Sequence, residues 1–405
     1  MFLKLALKSL LSRKGSVLLT LLSMSISVFV LLGVEHIRHQ AKQSFASTVS
    51  GVDLIVGART GGLNLLLYSV FHVGSPTNNI SWQTYRDVAD NPKVKWAVPM
   101  ALGDSHKGYR VVGTTPAFFE HFSYSNAKAL SFNQGQAFTR VFDVVLGAEV
   151  AKKLNYQLQD NIIIAHGLGD TSFKLHDENP FTIVGVLDPT GTPIDQTVHV
   201  SLQGIEAIHT AGQHKNLELS QSTMRPDDIT SMMLGLNSKM ATFRVQRFIN
   251  NYPQEPLTSI LPGVTLIELW HMMGMLENVL RLISVCVLIA SLLGLSAMLL
   301  TSIRERHSEI QLLRMIGASP LYLFLLIELE AMLVSVTSII IGAGGLIVSI
   351  WLSRDMIAGY LGLYINTSIF TSNSLLMLTT ILILTALASM IPAMSGYRQA
   401  KFGYP

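Results

Sequence analysis

Four uncharged apolar runs, at residues 15–34, 282–303, 331–353 and 374–395, constrain this chain more than any other feature. A helix needs about 20 apolar residues to cross the hydrocarbon of a bilayer, and each run supplies them. Lipid offers no water to satisfy a backbone amide, so such runs must be helices. The rest of the composition agrees. Only 14% of residues are charged, against roughly a quarter in soluble chains. A net charge of +3, with no basic patch interleaved with aromatics, excludes a nucleic-acid partner.

The first run follows Lys4, Lys8, Arg13 and Lys14, as a signal peptide would. It is longer than a typical signal h-region, and no A-x-A-like site precedes Glu35, so it reads as an uncleaved anchor. Basic residues in the short flanks set orientation. They precede the first run, lie between the second and third (Arg304, Arg306, Arg314) and follow the fourth (Arg398, Lys401). Both termini are therefore expected to be cytoplasmic. Trp270, Trp351 and Tyr360 then fall near the outer interface.

The expected organisation is a cytoplasmic amphipathic amino terminus at 1–14 and spans at 15–34, 282–303, 320–353 and 374–396. An external stalk and domain occupy 35–281, a cytoplasmic helix 304–319, an outer loop 354–373 and a cytoplasmic tail 397–405. The external segment has soluble texture. Strand-like stretches at 52–57, 94–98, 109–113, 161–165, 181–187 and 197–201 alternate irregularly with helix-like ones at 82–90, 116–122, 148–154, 202–211 and 241–251. Irregular alternation predicts α+β. Residues 61–71 are an apolar external stretch, either domain core, a dimer contact or a surface for cargo.

No catalytic constellation appears. His166, His176 and Asp177 lack metal-ligand spacing, and Asp53, Asp104, Asp188 and Asp195 stand beside no nucleophile motif. The single cysteine, Cys286, reads as a small buried apolar residue. Leu269, Met272, Met273, Leu276 and Leu280 form an apolar helical stripe. It either packs on the domain floor or forms a stalk that carries the first two spans outward side by side. Glu328 and Glu330, early in the third span, are expected to pair with a basic residue near the cytoplasmic interface.

Between the second and third runs stands RERHSEIQLLRMIGASP, residues 304–320. On a helix, Arg304, His307, Gln311 and Arg314 share one polar side. Glu305 and Glu309 share another with Leu312 and Ile316, and Ile310 and Leu313 a third. Carboxylates mixed with Leu and Ile suit a protein groove better than a bilayer surface. Gly317 permits a left-handed stop, and Pro320 starts the next helix at a tolerated position.

This stretch resembles the cytoplasmic coupling segment of the FtsX-like ABC permeases, the family of macrolide exporters and lipoprotein-releasing permeases. Its E-I-x-x-L-R-x-x-G-A-S pattern is met by Glu309, Ile310, Leu313, Arg314, Gly317, Ala318 and Ser319, after the charged start Arg304, Glu305 and Arg306. Residues 5–22 are similar to the family's basic start and first span. Residues 143–154 and 181–193 resemble its MacB-like external domain, and Ile391, Pro392 and Ala393 its last span. One departure is Asn155-Tyr-Gln-Leu-Gln-Asp160, where members often carry a Gly-rich turn.

The resemblance implies a four-span bacterial inner-membrane protein with a large α+β periplasmic domain between the first two spans. The chain has no G-x-x-x-x-G-K-[ST] phosphate loop, so it is not expected to be an enzyme or to hold a cofactor. ATP and Mg would be bound by a separate ABC ATPase. Two permeases would pair as a homodimer in the lipid bilayer, each docking residues 304–319 on an ATPase. Three outputs are compatible with that arrangement. They are extraction or export of a lipoprotein, peptide or amphiphile, activation of a cell-wall hydrolase or other periplasmic partner, and membrane sensing without an ATPase. A periplasmic adaptor is a further partner of such systems.

Overall fold

In the computed structural model, residues 2–48, 50–125, 127–166, 179–211, 226–305, 315, 317–361 and 368–402 are described. The chain divides into two compact units. One comprises Met1–Gln40, Met273–Arg354 and Ile365–Pro405, the other Ala41–Met272 and Asp355–Tyr364.

Among the described residues, four helices are long and apolar enough to cross a membrane, and the first unit is built on them. They run from Lys14 to Thr48, Pro262 to Glu305, Pro320 to Leu361 and Ser372 to Phe402, and are called the first to fourth long helices. A short helix, Phe2–Ser12, precedes them. The third continues to Leu361 where a loop was expected from residue 354. No Gly or Pro interrupts the chain between Ser353 and Ala358, so nothing local ends the helix there. Cys286 is exposed rather than buried, on a helix whose neighbouring Leu282, Ile283, Val285 and Ile289 are also exposed.

Leucine packing alone does not hold helices together in lipid, because lipid tails are equally apolar. Small and hydroxylated residues do that work here. Ser23 and Ser27 of the first helix meet the Ser291 hydroxyl of the second at 3.1 and 2.8 Å. The Ser335 and Thr385 hydroxyls join the third and fourth at 3.1 Å. Pro392 lies inside the fourth helix, and proline takes away the donor that would satisfy the carbonyl four residues earlier. That carbonyl, on Ala388, accepts from the Ser296 hydroxyl of the second helix at 3.0 Å. Ser296→Ala should therefore leave it without its interhelical donor and lower thermal stability in detergent by about 1 kcal/mol. An unchanged melting temperature would show that the carbonyl is satisfied otherwise.

The second unit is α+β, as expected. Its main sheet runs in the order Leu257–Ile260, Leu54–Ala58, Ser231–Leu236, Val94–His106, Tyr109–Thr114, Thr197–Ser201, Asp143–Leu146, Phe181–Leu187 and Phe132–Gly135. Two pairings along it are parallel, Thr197–Ser201 with Tyr109–Thr114 and Phe181–Leu187 with Asp143–Leu146. Periodicity misses Ser231–Leu236 because all six positions are buried, leaving no alternation to read. The sheet edge at Leu257–Ile260 is covered by side chains. Gln246 donates to the Ser259 carbonyl at 2.9 Å, and the Ser259 amide donates to Asn250 at 2.8 Å, which blunts the edge against stray pairing.

The apolar stretch at 61–71 becomes the helix Gly62–Val70. Leu65, Leu66, Tyr68, Val70 and Phe71 enter the largest core cluster, which decides for domain core at those positions. The atypical turn after helix Ala148–Leu154 uses Asn155 in the left-handed region, φ 52°, and Gln159 at φ 73°. Asp160 steadies it by accepting from the Gln157 amide at 2.8 Å. The loop thus reaches left-handed geometry without glycine.

Candidate functional site

The segment between the second and third long helices is described only at its ends. Arg304 and Glu305 close the second helix, both exposed. Gly317 adopts φ 98° with open space where a Cβ would sit, a conformation glycine reaches without strain. Ala318 and Ser319 then lead into the third helix. The Ser319 hydroxyl and carbonyl both accept from the Tyr322 amide, at 3.2 and 3.0 Å, which caps a helix whose first residue is Pro320. Arg306, Glu309, Ile310, Leu313 and Arg314 lie outside the described residues.

These roots are held firmly. Leu295, Met298, Leu299 and Ile303 of the second helix cluster with Ile327, Ala331 and Val334 of the third and Ala393 of the fourth. The two carboxylates expected to find a basic partner both meet hydroxyls. Glu328 accepts from Ser389 at 2.7 Å, and among the described residues it makes no ion pair. Glu330 is buried and accepts from Ser9. Hydroxyl donors offset part of the cost of burying a carboxylate.

At the outer ends of the same helices sits an ion cluster that periodicity did not reveal. Glu35 of the first helix is buried and pairs with Arg38 at 3.0 Å and with Arg281 of the second at 3.6 Å. Arg38 also reaches Glu277 of the second helix at 2.9 Å. Asn373, at the start of the fourth, approaches Glu35 at 3.5 Å. The cluster joins the first two long helices just beyond the apolar runs. A usable signal was in the sequence: an acid and a base flank the outer end of each run, Glu35 and Arg38 after one, Glu277 and Arg281 before the next.

The apolar stripe is largely exposed among the described residues. Met272, Met273, Leu276 and Leu280 are 63, 38, 58 and 41% exposed, and Leu269 is half-buried.

The external aspartates serve structure. Asp53 accepts from the Leu236 amide at 2.7 Å and Asp188 from the Ser131 hydroxyl at 2.6 Å. Asp195 gathers the Thr190 and Gly191 amides at 2.9 and 2.8 Å. Asp104 lies 3.5 Å from His209, whose imidazole is shifted upward chiefly by that hydrogen bond. Among the described residues no group of three or more His, Cys, Asp or Glu is placed to hold a metal ion. His176 and Asp177 lie outside the described residues, and so does the His166 side chain.

Two family models match the chain in tandem. The MacB-like periplasmic core domain covers residues 17–249, and the FtsX-like permease C-terminal domain covers residues 281–400. The chain belongs to the FtsX-like, MacB-type ABC permease family. Both domains are permease parts of ABC transporters, which implies an ABC ATPase as partner. This permease is thus a multi-pass membrane protein with a MacB-like periplasmic domain inserted after its first membrane helix. Among solved structures it is similar to the periplasmic region of MacB from Actinobacillus actinomycetemcomitans. The identity is 12% and the TM-score 0.34, over 54% of this chain and 92% of that one. It is also similar to the extracellular domain of the noncanonic ABC-type transporter YknZ from Gram-positive bacteria. There the identity is 13% and the TM-score 0.30, over 51% of this chain and 98% of that one. No curated protein matches the sequence.

Proposed function

We propose that this permease converts ATP hydrolysis by a separate ATPase into movement of its periplasmic domain, from which a lipoprotein, peptide or amphiphile is extracted or exported. The observation that carries this reading is the continuity of the second long helix. It starts at Pro262, with only Leu261 between it and the strand Leu257–Ile260, and runs unbroken to Glu305, at the root of the segment 304–319. At 1.5 Å per residue its 44 residues span about 66 Å, enough to cross a bilayer and continue beyond it. An unbroken helix transmits a push along its axis, where a hinge would absorb it. The Glu35–Arg38–Glu277–Arg281 cluster ties the first long helix to the second, so that both move together.

In this reading Arg304, Glu305, Arg306, Glu309, Ile310, Leu313 and Arg314 meet a groove on the ATPase, and Gly317, Ala318 and Ser319 stop the docking helix. ATP and Mg reside in that partner. Both termini face the cytoplasm of a bacterial inner membrane. The exposed stripe Met272, Met273, Leu276 and Leu280 supports a second permease copy as its cover, because so much apolar surface outside lipid would otherwise stand in water. A second reading, activation of a periplasmic hydrolase without cargo, uses the same helices and differs only in what the domain holds.

Co-purification tests the proposal. Tagged wild-type permease, extracted in mild detergent from its native cells, should retain an ABC ATPase. The Glu309→Arg, Leu313→Asp variant should lose it while keeping the wild-type melting temperature. Retention of the ATPase by the folded variant would remove residues 304–319 from the docking role. Whatever else comes down with wild type, lipoprotein or hydrolase, decides between the two outputs.

A further inference from the structure

The short helix Phe2–Ser12 has two faces, and the coupling reading uses neither. Its inner face is fixed to the bundle. Ala6 and Ser9 are buried, and the Ser9 hydroxyl donates to Glu330 on the third long helix. Leu10 packs against the cluster containing Ile303 and Ile327. Those residues lie in the last turn of the second long helix and the early turns of the third, the two roots of the segment 304–319.

Its outer face is different. Leu3, Leu7 and Leu11 are 51, 44 and 61% exposed and recur every four residues, which aligns them in one stripe. Lys4 and Lys8 lie exposed beside that stripe and make no ion pair among the described residues. No acidic residue occurs in the chain before Glu35. The leucine stripe has a continuation, because Leu18, Leu19 and Leu22 on the first span are also exposed, where a spanning helix meets lipid.

A leucine stripe with lysines along its flank is the pattern of a helix lying in a membrane surface. The leucines enter the acyl boundary while the lysine stems reach up to the headgroups. A soluble partner would have to cover leucines that run on into a lipid-facing surface, which a bilayer does without interruption. We propose that Phe2–Ser12 binds the surface of an anionic phospholipid leaflet, with Lys4 and Lys8 on lipid phosphates, and that this binding braces both roots of the segment 304–319. The lipid contact is independent of the coupling reading; the importance of the brace rests on it.

The test is amide hydrogen exchange of the full-length protein in nanodiscs of phosphatidylcholine, with and without phosphatidylglycerol. Residues 2–12 should exchange more slowly in the anionic discs, on the order of fivefold for each lysine engaged. The Lys4→Gln, Lys8→Gln variant should erase that difference while the four spans exchange as in wild type, which shows the bundle intact. Equal exchange in both lipids overturns the proposal. So does protection of residues 2–12 that appears only when an ATPase is added. Slower exchange at 300–305 and 320–326 in anionic discs is the expected sign of bracing, and its absence alongside a protected amino-terminal helix overturns that half. ATPase co-purification reads the coupling hypothesis separately, so either can fail alone.

Discussion

Acidifying this permease from about pH 7 to about pH 4 should cost its periplasmic domain several kcal/mol of stability, and His199→Phe should remove much of that loss. His199 sits in the middle of the sheet, between Val112 and Val145 on the flanking strands. It is fully buried, with the rings of Phe118 and Phe119 at 5.3 and 5.8 Å. Neither ring nitrogen meets a well-aligned hydrogen-bond partner. Burial, with the nearby His72, holds its pKa down from 6.5 to about 3. His72, whose ring meets the Thr197 hydroxyl at 3.0 Å, is held down to about 4 by burial and by Arg110.

Both histidines therefore fold as neutral rings. Below pH 6.5 the unfolded chain binds protons that the folded one refuses, so stability is complete above that pH and falls as the pH drops towards the folded values. The slope is about 1.4 kcal/mol per pH unit for each such group. Thermal unfolding of the full-length protein in detergent, followed across this range, measures it. His199→Phe replaces two nitrogens that lack well-aligned partners with carbon among aromatic neighbours, so it should be at least as stable as wild type near neutral pH and lose stability less steeply in acid. An unchanged slope would place the acid sensitivity elsewhere.

The second large effect lies in the membrane. Gly342→Leu should destabilise the bundle by about 3 kcal/mol, at the upper end of overpacking costs, whereas Gly344→Leu should be nearly neutral. A Cβ at Gly342 would stand 2.7 Å from the Ser25 carbonyl oxygen and 2.9 Å from the Val28 Cβ. Backbone cannot move aside as a long side chain can, so the first and third helices would have to part. That would strain the hydrogen bond from Ser338 to the Leu21 carbonyl, 3.3 Å, and loosen the cluster of Met24, Val28, Ala343 and Leu346. At Gly344 there is nothing within 4 Å of the added carbon. Equal melting temperatures for the two variants would contradict this close approach of the helices.

The two glycines show where sequence stops being informative. Gly342, Gly344 and Gly345 form one small-residue run, and a pattern of small residues announces a close helix contact somewhere along it. Which glycine touches the neighbour depends on helix rotation, which a pattern does not carry. Cys286 was misread for the same reason, because an apolar run gives no hint of which side faces lipid. The helices Ala148–Leu154 and Leu202–Ala211 were legible to the residue, since their apolar spacing and neighbouring turns are local signals. Ser231–Leu236 was not legible, because burial on both faces erases the alternation that marks a strand.

By itself the sequence determined the four membrane helices, the α+β external domain between the first two and the family resemblance, because bilayer thickness and helix period act on contiguous residues. Only the tertiary structure decided that Glu35, Arg38, Glu277 and Arg281 form one cluster, that Ser296 satisfies the carbonyl freed by Pro392, and that His199 is buried among phenylalanine rings. Each of these depends on residues far apart in the chain meeting within a few ångströms. That is a property of how helices and strands pack, not of any segment read alone.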